Sequence, residues 1–214
     1  MNKRIKGPNK TKKEWHEIHI FLLDTSKNFK SINDLIKRNG VLKIARSKER
    51  DLFLFLFRMI IGQQLSNVVA KVIWERILDF AEDQEDDLYS LCLKKSKGFK
   101  ACGISSRKME ALFRLSRSFK NEEISNEMLN KMTQEEVIFK ITSLWGLGPW
   151  SAEMVLIGFL GKKDVWSNND GALKRGMNLL FDNSPIQLEI VNRFRPYRSL
   201  LAKHVWQGLD DRII

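Results

Sequence analysis

Apolar residues recur along this chain at helical spacing, and nowhere do apolar and polar positions alternate over the length of a useful strand. Trp15, Ile18, Phe21 and Leu22 mark one face of a first helix, and Ser31 is placed to cap a second through Leu35 and Ile36. Residues 52–61 read as a buried helix. Val68, Val69, Val72, Ile73, Ile77 and Phe80 form the apolar face of the next, with Ser66 as its cap. Ser105 or Ser106 starts another, turning Met109, Leu112, Phe113 and Leu115 inward. Thr133 and Glu136 have capping-box spacing, and their helix runs through Val137 and Ile141 into a turn at Gly146. Helices over 171–181, 186–193 and 196–207 complete the chain. With short connections throughout, the pattern predicts an all-α fold of roughly nine to eleven helices.

Composition narrows the class. The 214 residues suffice for one sizeable core or two small lobes. Hydrophobic residues make up 43% and charged residues 29%, which fits a soluble globular chain, and the net charge of +11 points to a polyanionic partner. The plain alternative for that charge is a solvated basic surface. Residues 1–13, rich in Lys, Arg and Asn around Gly7-Pro8, read as a flexible basic arm, leaving 14–214 as the body. The apolar run 52–61 is too short to span a bilayer and is broken by Arg58, and no apolar segment follows the basic start as in a signal peptide. Cys92 and Cys102 are the only cysteines. They suggest no disulfide framework, fit a reducing cytoplasm, and are too few for a four-cysteine iron–sulfur cluster.

The most informative stretch is Leu144-Trp-Gly-Leu-Gly-Pro-Trp-Ser-Ala152. Two helices meet there in a hairpin, with Pro149 at a first helical position. Gly146 and Gly148 are read as permitting φ > 0 and close backbone approach. The N–H groups of such a turn bind anions, and for a basic protein the anion is nucleic-acid phosphate. The hairpin alone also fits an ordinary helix connection with a glycine cap. Asp170 follows in Asp164-Val-Trp-Ser-Asn-Asn-Asp170, with Lys174 and Arg175 just beyond. Alone it reads as a helix N-cap. Beside a phosphate-binding hairpin, an ionised carboxylate suits stabilising a cationic sugar or orienting water. The tryptophans Trp145, Trp150, Trp166 and Trp206 read first as core, and His204 as structural.

These segments together resemble the helix-hairpin-helix, Gly/Pro-rich, aspartate superfamily of DNA glycosylases, and most of all its bacterial 3-methyladenine-DNA glycosylase II branch. Ile60-Ile-Gly-Gln-Gln-Leu-Ser66, Gly103-Ile-Ser-Ser-Arg-Lys-Met109 and Phe194-Arg-Pro-Tyr-Arg-Ser-Leu-Leu-Ala-Lys-His-Val-Trp206 add to the match, which spans about residues 50–207. The resemblance implies a two-lobed helical body with the active cleft between lobes, the hairpin at about 134–160, and monofunctional hydrolysis of alkylated purines. It puts Asp170 on the catalytic aspartate and Trp150 where bifunctional relatives carry a Schiff-base lysine, so lyase chemistry is not expected. It puts Trp150 and Trp206 in the base pocket and Gln64 at the wedge position, where glutamine replaces a bulky aliphatic of one relative. Gly146, Gly148 and Ser151 fall on backbone contacts. The main-chain carbonyls of Thr142, Leu144 and Leu147 fall where relatives hold a monovalent cation, Na+ or K+. No other cofactor is implied.

The implied partner is double-stranded DNA with damaged bases, met by a monomer in the bacterial cytoplasm and away from membranes. Two other readings remain open at this stage. One is a glycosylase for uracil, hypoxanthine or mismatched thymine, neutral leaving groups that would want pocket hydrogen bonds. The other is a non-catalytic DNA clamp, which gains nothing from a carboxylate beside phosphate.

Overall fold

The computed structural model describes residues 10–44, 51–181 and 187–214. They form helices and no strand, in two compact units, one from residues 1–46 with 161–214 and one from 47–160. The helices are α1 (Lys10–Thr25), α2 (Lys30–Asn39), α3 (Leu52–Gly62), α4 (Asn67–Asp83), α5 (Leu88–Leu93), α6 (Gly98–Ala101), α7 (Ser106–Lys120), α8 (Asn126–Lys131), α9 (Gln134–Ser143), α10 (Pro149–Met154), α11 (Gly171–Phe181), α12 (Gln187–Arg193) and α13 (Arg198–Asp210). A π-helical turn, Val155–Phe159, continues α10. The helices outnumber the nine to eleven expected, because short α5, α6 and α8 carry too few residues to show a period. Most of the basic arm lies outside the described residues, and α1 already begins at Lys10, inside the segment read as arm. No helix of the described residues is long and apolar enough to cross a membrane.

The unit of α3–α10 is built on α3. That helix is apolar nearly all round, so it can only be central. Asp51 caps it, its Oδ1 accepting from the backbone N–H of Phe53 at 2.8 Å and of Leu54 at 3.2 Å. Phe57 lies edge-on to Trp74 and Phe99, with ring centroids at 5.8 and 6.2 Å. Ser66, Ser105 and Thr133 cap α4, α7 and α9 as expected, and the Thr133–Glu136 capping box is complete. The α4 face departs from expectation. Ile73 and Ile77 are buried, but Val68, Val69 and Val72 are exposed. Six apolar positions in a row of turns cover more than one face, and the positions of α3 and α6 decide which stripe goes in.

In the other unit α13 is the core, with Leu200, Leu201, Ala202 and Val205 inaccessible and packed against α2 and α11. α2 starts at Lys30 with Phe29 as a cap residue whose side chain makes no cap bond, so Ser31 is inside the first turn rather than the cap. α13 starts at Arg198, two residues later than the pattern suggests. α11 and α13 come close because Gly176 has no side chain. A Cβ there would stand 2.4 Å from Cγ1 of Val205, a branched group with no slack.

His204 is structural. It is 1% exposed, and Asn39 Nδ2 donates to both its main-chain oxygen (2.9 Å) and its Nδ1 (3.3 Å), which fixes the proton on Nε2. Burial, with His19 and Lys203 nearby, pushes its pKa down to about 3. The unfolded chain therefore takes up a proton between about pH 6.5 and 3 that the folded chain refuses. His204 thus lowers stability as pH falls through that window, by about 1.4 kcal/mol per pH unit at most. Urea midpoints measured from pH 7 to 4 should fall less steeply for His204→Asn, which cannot titrate. Equal slopes would show that His204 is not the group responsible.

Candidate functional site

The hairpin is local chemistry. α9 ends at Ser143 with Leu144 as C-cap, and the Leu147 N–H closes the turn on the Leu144 carbonyl at 3.1 Å. Gly146 holds φ +87°, where side chains are strained, and a Cβ there would sit 3.0 Å from Ala111 Cβ on α7. Gln63 Nε2 donates to the Gly146 carbonyl at 2.9 Å, tying the hairpin to the α3–α4 turn of the same unit. Gly148 differs from expectation. Its backbone is extended, at φ −111° and ψ −173°, and no atom lies within 4 Å of where a Cβ would be. Nothing inside the protein requires a glycine there. What it provides is open space at the start of α10, next to Pro149. Arg114 covers the half-exposed Trp145 ring, its guanidinium 5.2 Å from the centroid.

Ser151, the third residue of α10, is 2% exposed, so only its main chain is placed to meet a DNA backbone. Trp150, the second residue of α10, is half-buried. Thr142 lies in the last turn of α9, Leu144 is its C-cap and Leu147 precedes the N-cap of α10; the Leu144 oxygen already accepts from Leu147 N at 3.1 Å. Their neutral oxygens suit a weakly held monovalent cation. Gln64 is exposed and sits at φ +59°, a left-handed conformation that costs a non-glycine residue about 1–2 kcal/mol. It displays its side chain from the turn between α3 and α4 at that cost.

Asp170 belongs to the other unit and is 6% exposed. It is the N-cap of α11. Its carbonyl accepts from Lys174 N at 3.0 Å, and its Oδ1 accepts from Leu173 N at 2.6 Å. The same oxygen meets a second donor, the indole N–H of Trp206 on α13, at 3.3 Å. The two residues are 36 positions apart, so the sequence offers no local signal of this bond.

The segment leading to Asp170 is clamped from α13 as well. Arg198 embraces the Asp164 carboxylate through Nε (2.7 Å) and Nη2 (3.2 Å). Ser199 Oγ accepts from Val165 N at 2.8 Å and donates to its carbonyl at 3.1 Å, while Ser199 N donates to the Lys163 carbonyl. Sequence reading passed over Arg198 and Ser199, because an Arg-Ser pair at a helix start carries no distinctive pattern.

No family model matches the chain. It is 30% identical over 177 residues to the DNA-3-methyladenine glycosylase of Saccharomyces cerevisiae, covering 77% of this chain and 60% of that protein. It is 26% identical over 202 residues to DNA-3-methyladenine glycosylase 1 of Schizosaccharomyces pombe, covering 89% and 85%. The solved Schizosaccharomyces pombe 3-methyladenine DNA glycosylase, in complex with abasic DNA, superposes with a TM-score of 0.74 at 23% identity, over 90% of this chain and 96% of that one. The chain is thus similar to DNA-3-methyladenine glycosylases and shares the fold of the solved Schizosaccharomyces pombe enzyme. Its all-helical structure is the glycosylase fold, with the hairpin of α9 and α10 in one unit and Asp170 heading α11 in the other. The alignment with the Saccharomyces protein leaves about two-fifths of that longer relative unmatched, whereas the Schizosaccharomyces protein is matched over most of its length.

Proposed function

We propose that this chain is a monofunctional DNA glycosylase that hydrolyses the N-glycosidic bond of alkylated purines such as 3-methyladenine, opening base excision repair. The observation that carries the reading is Asp170, a buried carboxylate that accepts from the Leu173 and Trp206 N–H groups, in a protein of net charge +11; the sequence resemblance matches it to the superfamily's aspartate. Such a carboxylate disfavours non-specific phosphate binding, so a mere clamp would gain nothing from it. The relatives named for 3-methyladenine favour alkylated purines over uracil or hypoxanthine.

The chemistry follows from charge. A purine methylated at a ring nitrogen is cationic and already a good leaving group, so no strong general acid is needed. It stacks on an indole face with a gain of roughly 0.5–2 kcal/mol. Trp206 is assigned that stack, and Trp150 a second aromatic wall. The bond from C1′ to the base nitrogen breaks with its electron pair going to the base, which departs neutral. Asp170 stabilises the oxocarbenium ion left behind. A water oxygen bonds to C1′, and its proton passes to solvent. Flipping the lesion out costs a few kcal/mol, less where damage weakens pairing, and Gln64 is assigned to fill the gap.

Gly146 and Gly148 hold the DNA backbone without reading sequence. The carbonyls of Thr142, Leu144 and Leu147 would hold a Na+ or K+ ion, which would add positive charge for attracting phosphate. The protein acts as a monomer. With Trp150 where an amine would stand, the reaction passes through no Schiff base.

Duplexes carrying single defined lesions provide the test, scored separately for released base, abasic sites and strand cleavage. Base release without cleavage is expected, and borohydride should trap no protein–DNA adduct. A robust trapped adduct would refute monofunctional hydrolysis.

A further inference from the structure

Trp206 presents more than a stacking face. An indole N–H points along the ring plane, so the bond to Asp170 Oδ1 places the carboxylate at the edge of the ring. A base lying on either face then has the carboxylate beside it. Asp170 Oδ1 already takes the 2.6 Å bond from Leu173 N, which fixes it along the axis of α11, and the indole approaches from α13. The approach depends on Gly176, whose missing side chain lets Val205, next to Trp206, pack into α11. At 3.3 Å the indole bond is long, as hydrogen bonds at resting sites often are before substrate tightens them.

We infer that Trp206 is a positioning residue for Asp170, acting through its indole N–H as well as through its ring face. The inference rests on the proposed catalytic role of Asp170 and adds a separable function to a residue otherwise assigned only to stacking. A hydrogen bond to an ionised acceptor is strong enough that its loss should cost roughly tenfold or more in rate.

Trp206→Phe separates the two functions, because phenylalanine keeps an aromatic face and loses the donor. Single-turnover excision of 7-methylguanine from a duplex should fall roughly tenfold in this variant, with affinity for the same duplex unchanged. In an Asp170→Asn background the Phe substitution should cost nothing further, since its effect passes through the carboxylate. Wild-type rates in Trp206→Phe, or an equal loss in both backgrounds, would overturn the inference and leave Trp206 a stacking wall. An inactive Asp170→Asn beside a fully active Trp206→Phe would overturn the inference alone, whereas a fully active Asp170→Asn would overturn the catalytic reading and the inference with it.

A readout that needs no active Trp206 variant is the indole proton resonance of Trp206. It should move upfield in Asp170→Asn, because a neutral amide accepts more weakly than a carboxylate. An unchanged resonance would mean that the bond does not form in solution.

Discussion

Asp170→Asn should fold and melt like the parent protein while excising alkylated purines on the order of 100-fold more slowly, or worse. The fold survives because asparagine caps helices as well as aspartate does, so the bond from Leu173 N to the side chain is kept. What disappears is the negative charge facing the cationic sugar. Binding to lesion-bearing duplex should hold or tighten, since a carboxylate near phosphate is removed. Differential scanning calorimetry, a binding isotherm and single-turnover excision separate the three quantities. A variant that melts normally and excises at the parental rate would reduce Asp170 to a helix cap and favour the clamp.

Gly148→Val should weaken binding to damaged and undamaged duplex alike, by roughly 10- to 100-fold if it displaces hydrogen bonds to phosphate. Stability should not change, because the site is extended and nothing lies within 4 Å of the added carbon. Gly146→Val is a different experiment. Its φ of +87° and the 3.0 Å approach to Ala111 make the protein itself less stable, by about 1–3 kcal/mol. Salt completes the comparison. Binding by the parent should fall steeply with salt through counterion release. Gly148→Val should weaken binding without altering that slope, because backbone N–H groups carry no net charge. Anisotropy titrations on a plain duplex at several salt concentrations check both points. Parental affinity in Gly148→Val would remove the hairpin from the DNA-binding surface.

The features legible in the sequence were those made by neighbours in the chain. The caps at Ser66, Ser105 and Thr133 need only a hydroxyl two or three residues before a free N–H. The hairpin needs Gly146, Pro149 and two apolar helices in sequence, and Asp170 announces itself as the cap of α11 within three residues of Leu173. Helical spacing likewise settled the all-α class, because a strand period is absent over any useful length. These are short-range requirements, and a local pattern suffices to state them.

Tertiary structure decided whatever depends on which face meets which. It exposed Val68, Val69 and Val72 while burying Ile73 and Ile77, since an apolar helix with a wide stripe can turn either way until α3 and α6 take their places. It buried Ser151 and left Gly148 open, although both sit in the same motif. It brought the Trp206 indole to Asp170 and Arg198 to Asp164 across 36 and 34 residues of chain. The Trp206 bond exists because α13 packs on α11 at a glycine, and a glycine in a helix looks the same in sequence whether or not a valine lies against it. The sequence by itself thus determined the longer helices, the hairpin and the aspartate that caps α11. The partners that hold that carboxylate in place were fixed only by long-range packing, which no local spacing encodes.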